Sequence, residues 1–181
     1  FNSQIITHGN VILTEELQKA DLSGTWRSLR WPLEENPTLQ SRQGQFSFRG
    51  NLQNYEFSLA AALATDAVLF NYLSAKGTGS ETSVTLRDFK AQDRNNYILT
   101  STGKIDWLQT LTMTLKGNWQ NYTRQVQDTL VTSRAGQYAV TGTLDDYQFK
   151  VKGQIAGPQI PPGDWSIVGN GSTEAISLTQ I

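Results

Sequence analysis

An internal repeat constrains this chain more than any other feature. The segment GQFSFRGNLQNYEFSLAAALA, beginning at Gly44, aligns without a gap on GQYAVTGTLDDYQFKVKGQIA, beginning at Gly136, at an offset of 92 residues. The same offset aligns GTGSETSVTL from Gly77 on GNGSTEAISL from Gly169. Because each copy of such a repeat builds one supersecondary unit, we predict two tandem units, residues 1–92 and 93–181, in one continuous sheet.

Apolar and polar residues alternate along most of both copies. Phe46 and Phe48, the run Tyr55-Glu56-Phe57, and Val84 with Leu86 illustrate the pattern in the first copy. A period of two places apolar side chains on one face of a strand and polar side chains on the other. The sequence therefore predicts an all-β protein.

A hairpin is predicted inside each copy. Apolar residues occupy even positions up to 52 and odd positions from 55, as a two-residue turn at Gln53 and Asn54 would produce. The second copy has Asp145 and Asp146 there. This register pairs Leu52 with Tyr55, Gly50 with Phe57, Phe48 with Leu59 and, in the second copy, Gly142 with Phe149, so that an aromatic ring covers a glycine across the ladder.

One segment, SLAAALATDAVLFNYL from Ser58, has the composition of an amphipathic helix. Its repeat mate contains Pro158, Pro161 and Pro162, which a helix interior does not tolerate. Equivalent segments should share a conformation, so a strand followed by a loop is predicted, with a short helix at residues 67–73 left open.

Composition excludes several classes of function. The chain has 15 basic and 16 acidic residues and a net charge of −1, without the basic excess that binding to duplex nucleic acid requires. It has no cysteine, so disulfides and sulfur-based zinc sites are excluded. No run of 18 apolar residues predicts a transmembrane helix. Because the chain starts at Phe1 without Met and stops at Ile181 inside an alternating run, we expect a piece of a longer polypeptide.

No catalytic, metal or cofactor site is predicted. His8 is the single histidine and has no evident acid or nucleophile partner. The pairs Glu34-Glu35 and Asp145-Asp146 lack the further oxygen ligands that calcium needs. GTGS and GNGS are not followed by the Lys-Ser/Thr of a phosphate-binding loop and are interpreted as turns.

The predicted apolar face must be covered by a second sheet, by closure into a barrel, or by an apolar ligand in a curled, open trough. A packed core is the ordinary interpretation of alternating apolar residues. The rival classes are a structural or adhesive β protein, such as a passenger-type β-helix, and a carbohydrate-binding sandwich with a sealed core. A lipocalin-like barrel also shows alternation, but it does not require a 92-residue repeat.

Several motifs resemble the TamB family of periplasmic, AsmA-like (DUF490-type) proteins of the translocation and assembly module. They are LSGTWRSLRWPL from Leu22, the hairpin GQFSFRGNLQNYEF from Gly44, and the tail PPGDWSIVGNGS from Pro161 followed by SLTQI. The resemblance covers most of the chain, and the motifs are structural. It implies an elongated, curled, taco-like β-sheet with an apolar groove, in a periplasmic protein anchored in the inner membrane of a Gram-negative bacterium.

The resemblance also implies a function without catalysis. Phospholipid would move between the inner and outer membranes, and outer-membrane proteins such as autotransporters would be assembled and secreted with the help of the Omp85-type partner TamA. Phospholipid acyl chains are then the expected ligand and no cofactor is expected. The candidate groove residues are the alternating apolar ones: Phe46, Phe48, Leu52, Tyr55, Phe57, Leu59, Val84, Leu86, Leu111, Met113, Leu115, Trp119, Tyr138, Val140, Leu144, Tyr147, Phe149, Val151, Ile176 and Leu178.

Two other groups of residues have alternative interpretations. Arg27 and Arg30 could hold a lipid phosphate through charge-assisted hydrogen bonds, but solvated surface arginines are the simpler interpretation. Four of the five tryptophans could form a platform for sugar rings, whereas their neighbouring glycines favour packing within the sheet; they are Trp26, Trp31, Trp119 and Trp165.

Overall fold

A computed structural model describes residues 3–14, 18–32, 38–64, 69–126, 129–158 and 160–180. Contacts divide the chain into two compact units, Phe1–Arg94 and Asn95–Ile181. The division falls close to the junction between the two copies of the repeat.

The first unit contains strands β1 to β6. Their bounds are β1 Gln4–Leu13, β2 Gln18–Trp31, β3 Leu39–Asn51, β4 Asn54–Leu63, β5 Tyr72–Gly79 and β6 Ser83–Gln92. Each strand pairs antiparallel with the next one along the chain. Within the described residues of this unit, β1 and β6 do not pair, so the sheet is open.

The second unit contains strands β7 to β12. Their bounds are β7 Ile98–Asp106, β8 Thr112–Val126, β9 Thr129–Thr143, β10 Tyr147–Gly157, β11 Ile160–Gly171 and β12 Ile176–Gln180. They follow the same antiparallel order, again without closure in the part that the structure describes. The prediction of an all-β chain built as open, curled sheet is confirmed.

Backbone irregularities recur at equivalent places in the two units. Ser28 in β2 has φ of 53°, and Asn121 in β8, which follows it by 93 residues, has φ of 57°. Positive φ is uncommon for residues other than glycine, so its recurrence is a specific feature of the shared fold. Irregularities of this kind bend a strand and increase its twist, which contributes to the curl of each sheet.

Aromatic rings lie over glycines of the neighbouring strand throughout both units. A Cβ added to any of these glycines would meet the ring of its partner. The pairs are Trp26–Gly44, Phe46–Gly24, Tyr55–Gly79 and Phe57–Gly77 in the first unit, and Trp119–Gly136, Tyr138–Gly117, Tyr147–Gly171 and Phe149–Gly169 in the second. The rings thus fill the space that glycine leaves on the apolar face.

The predicted hairpin register is wrong by one residue at the turn. Leu52 and Gln53 form the turn, and Asn51 pairs with Asn54. Consequently Gly50 pairs with Tyr55, Phe48 with Phe57 and Phe46 with Leu59; likewise Gly142 pairs with Tyr147 and not with Phe149. Both registers place even positions opposite odd ones, so alternation alone does not distinguish them.

Side chains at the ends of β3 and β9 select the observed turns. The Asn51 Oδ1 atom accepts a hydrogen bond of 2.8 Å from the backbone N–H of Asn54. In the second unit, Thr143 Oγ1 accepts one of 2.9 Å from the N–H of Asp146. Such local side-chain bonds stabilise turns, and they place Leu144 and Asp145 in the loop where Asp145 and Asp146 were predicted.

The segment from Ser58 forms the predicted strand and loop. Strand β4 runs to Leu63, and β5 begins at Tyr72. No helix forms at residues 69–73, and residues 67 and 68 of the alternative helix lie outside the described residues. The glycines of GTGS and GNGS were predicted to be turns, but they lie in β5 and β11. Turns follow them, closed by hydrogen bonds from the Ser80 N–H to Ser83 and from the Ser172 N–H to Ala175.

Candidate functional site: the apolar face of each unit

Residues that are directly opposite in paired strands share a face of the sheet, and this register gathers the candidate groove residues. In the first unit, Phe46, Phe48, Tyr55, Phe57, Leu59, Val84 and Leu86 share one face. In the second unit, Met113, Leu115, Trp119, Tyr138, Val140, Tyr147, Phe149, Val151, Ile176 and Leu178 share one face. Leu52 and Leu144 lie in turns, and Leu111 precedes β8.

These apolar faces are not buried as a core would be. Among the described residues, the buried apolar ones are Trp26 and three alanines, Ala61, Ala75 and Ala91, and no large side chain is fully buried. The phenylalanines of both faces are half-buried, and Leu178 is 52% exposed. A sandwich or a filled barrel would bury such side chains almost completely. Each unit therefore presents a broad apolar surface without a second protein layer in the part of the chain described.

A tryptophan and a serine anchor the same position of this face in both units. The Trp26 indole N–H donates a hydrogen bond of 2.8 Å to Ser41 Oγ, and the Trp119 N–H donates one of 2.8 Å to Ser133 Oγ. Ser41 in turn donates to the Ala62 carbonyl at 3.0 Å. The indole rings are thus fixed in the sheet, which supports packing over a sugar-binding role.

The other two candidate tryptophans, Trp31 and Trp165, add little to a sugar platform. Trp165 is half-buried and pairs across strands with Gly153. The side chain of Trp31 lies outside the described residues. Stacking of a pyranose ring needs an exposed aromatic face, so the packing interpretation holds for Trp26, Trp119 and Trp165.

The second unit has an apolar pocket beside its Trp–Ser anchor. Its volume is about 220 Å³, and its lining residues are Tyr97, Trp119, Tyr122, Val131, Ser133 and Ile155. The rings of Tyr97 and Tyr122 meet edge to face, with centroids 5.3 Å apart. No lining residue is charged.

Part of the apolar face could not be predicted from the sequence, because strand irregularities change which positions, odd or even, lie on that face. Tyr122 follows the positive-φ residue Asn121, so it shares the face of Trp119 despite its even number. In β6 the register shifts between the pairs of Lys76 and Gly77, which brings Phe89 to the face of Leu86. The alternation before each irregularity is visible in the sequence, whereas the irregularity is not.

The opposite face of each unit is polar and largely exposed. Hydrogen bonds join Ser47 to Ser58 at 2.7 Å across β3 and β4, and Arg49 donates to Asp21 at 3.0 Å. A polar depression of about 810 Å³ on the second unit is flanked by polar side chains that include Gln137, Gln154, Lys152, Arg134 and Asp164. This face is suited to contact with water.

The candidate polar residues do not assemble into a reaction centre. His8 is exposed and pairs with Ser23. Arg27 is exposed and Arg30 is half-buried. Within the described residues no three His, Asp or Glu side chains come together as metal ligands would, and the pair Glu34-Glu35 lies outside them. No helix in the described part has the length and apolarity needed to cross a bilayer.

One carboxyl group is electrostatically perturbed. Lys104 Nζ donates a hydrogen bond of 3.1 Å to Asp106 Oδ2, and the Leu108 N–H donates one of 3.2 Å to Oδ1. These bonds favour the ionised form and hold the pKa of Asp106 below its ordinary value of 3.8. The group lies at the end of β7 and has a structural role in closing the following turn.

Comparison of the sequence with protein-family models identifies the family of this chain. The sequence model of the family described as TamB, N-terminal domain, matches residues 3–128 and again residues 109–181. The chain belongs to this TamB family. No curated protein matches the chain, and no solved structure does. Membership identifies a protein of the bacterial envelope with a TamB-like role there, in a family of transport and assembly proteins that is not known for enzymes.

Proposed function

We propose that the apolar face of each unit binds the acyl chains of phospholipids and forms part of a route between the inner and outer membranes. The proposal depends on one observation: among the described residues, most aromatic and aliphatic side chains of both faces are half-buried or exposed, and no second protein layer covers them. In the periplasm such a face requires an apolar ligand, and acyl chains are the ligand that fits TamB family membership.

The energetics favour transfer along such a face. Removing one CH₂ group from water contributes about 0.8 kcal/mol, so a sixteen-carbon chain gains about 12 kcal/mol when it is fully covered. Rings over glycines supply this apolar surface on successive strands of each unit. A chain can therefore slide between positions of similar energy, since no single rung provides a strong polar anchor.

We further propose that the protein acts without catalysing a reaction. It works in the periplasm as part of an inner-membrane-anchored protein, with TamA as its outer-membrane partner, and it supports the assembly and secretion of autotransporters. Family membership supports this role. Membrane anchoring and partner binding would use parts of the protein other than the two apolar faces.

Charging the apolar face tests lipid binding. Phe57→Glu and Phe149→Glu each introduce a carboxylate on that face, whereas Gln148→Glu places one on the exposed polar face of the same strand as Phe149. We expect the two phenylalanine variants to lose co-purifying phospholipid, measured by mass spectrometry of extracted lipid, and the control to retain it.

Two readouts complete the experiment. Circular dichroism should show β-sheet content near that of the unaltered protein in all three variants, because the altered faces are already partly exposed. Cells that carry the phenylalanine variants in the full-length protein should also display less autotransporter at their surface. Lipid retained by folded phenylalanine variants would contradict the proposal, as would collapse of the fold in these variants but not in the control.

A further inference from the structure

The two units differ in the residues around the tryptophan–serine anchor of their apolar faces. In the second unit, Tyr97, Tyr122, Val131 and Ile155 surround the Trp119–Ser133 anchor and enclose a pocket of about 220 Å³. In the first unit, Ser3 corresponds to Tyr97 at an offset of 94 residues, and Leu29 corresponds to Tyr122 at an offset of 93. Leu39 and Leu63 correspond to Val131 and Ile155 at an offset of 92. One wall that is aromatic in the second unit is therefore aliphatic or polar in the first.

We propose that this pocket holds the methyl end of one acyl chain, so that the second unit contains a holding site on the proposed lipid route. This inference rests on the proposed function. The inference adds to the proposed function a defined position at which the moving acyl chain pauses. Residues that differ between the two copies form this position.

The size of the pocket fits a chain end. At about 30 Å³ for each water-sized group, 220 Å³ provides room for about seven such groups. A short run of methylene groups ending in a methyl fits this space, whereas a complete acyl chain does not. The lining contains no charged residue that would pair with a phosphate.

Contacts within the second unit fix the walls of the pocket in place. The Trp119 ring lies over Gly136 and its N–H donates to Ser133 at 2.8 Å. Tyr97 and Tyr122 support each other edge to face at 5.3 Å. Rigid rings lose little conformational entropy when a ligand binds. The pocket also gives the chain end contacts that the flat part of the apolar face does not provide.

Photoreactive phospholipids test the inference in the full-length protein within the bacterial envelope. One probe carries a diazirine at the methyl end of an acyl chain, and a second carries it beside the ester. After illumination, labelled peptides are mapped by mass spectrometry. We expect the terminal probe to label peptides containing Tyr97, Tyr122 and Val131 about tenfold more than the equivalent peptides of the first unit, and the ester-side probe to label both units evenly.

Filling the pocket provides a matched control. Val131→Phe places a ring in the pocket, and Leu39→Phe makes the same kind of change at the equivalent position of the first unit. We expect the terminal probe to lose its preference for the second unit in the first variant and keep it in the other. Even labelling of both units by the terminal probe overturns the holding site but leaves lipid binding intact. Absence of labelling on either apolar face by both probes overturns the proposed function itself.

Discussion

Replacement of Gly136 by alanine tests the aromatic–glycine packing of the apolar face. No positive φ is recorded for Gly136, so alanine suits its backbone. The added Cβ would instead collide with Trp119 atoms Cζ2, Cη2 and Cε2. The indole must then leave the glycine, which also breaks the bond from its N–H to Ser133.

The expected cost follows from these two contacts. Overpacking of this kind costs about 1–3 kcal/mol, and the lost hydrogen bond adds about 1 kcal/mol. We therefore expect Gly136→Ala to reduce the free energy of unfolding by about 2–4 kcal/mol. In a unit of this size, that change corresponds to a fall in Tm of about 8–32 °C.

Urea and thermal unfolding followed by circular dichroism measure this effect. Gly163→Ala is the matched control, because its Cβ would lie 3.8 Å from the nearest atom, Trp165 Nε1, an ordinary contact. Trp119→Leu in the Gly136→Ala background should recover part of the loss, since the smaller side chain relieves the collision. Equal stability of Gly136→Ala and Gly163→Ala would refute the packing argument.

Three further predictions concern single contacts. Trp26→Phe removes an indole that is 8% exposed and its bond to a buried serine, so we expect a loss of about 1–3 kcal/mol in urea unfolding; unchanged stability would contradict the anchor. Lys104→Met should raise the pKa of Asp106 toward 3.8, measured by NMR titration of its carboxyl carbon. Because the folded-state pKa is depressed, the lysine contact stabilises the fold above pH 3.8 and is lost as pH falls through the lower, folded-state pKa. The exposed ion pair of Arg49 and Asp21 should contribute little to stability, so Arg49→Ala should lower the free energy of unfolding by less than about 1 kcal/mol. A larger loss of stability that does not depend on salt would show that the pair is not a surface contact.

Much of the site was predictable because alternation is a local property. Residues two apart in a strand share a face, as Phe46 and Phe48 do in one unit and Tyr147 and Phe149 in the other. The pairing register then extends that face across the strands of each unit. Leu52 was misplaced because parity fits two registers equally, and the side chain of Asn51 selects between them. Phe89 and Tyr122 were missed because a register shift in one strand and a positive φ in the other change the parity after them.

The amino-acid sequence by itself determined the repeat, the strands and the division of each sheet into an apolar and a polar face, since these depend on residue type and spacing along the chain. Only the tertiary structure decided that the apolar face has no second layer among the described residues, and that two tyrosines close a pocket beside Trp119. Burial and enclosure depend on which strands approach one another in space. That approach is set by turns and irregular residues whose geometry leaves no periodic signal in the sequence.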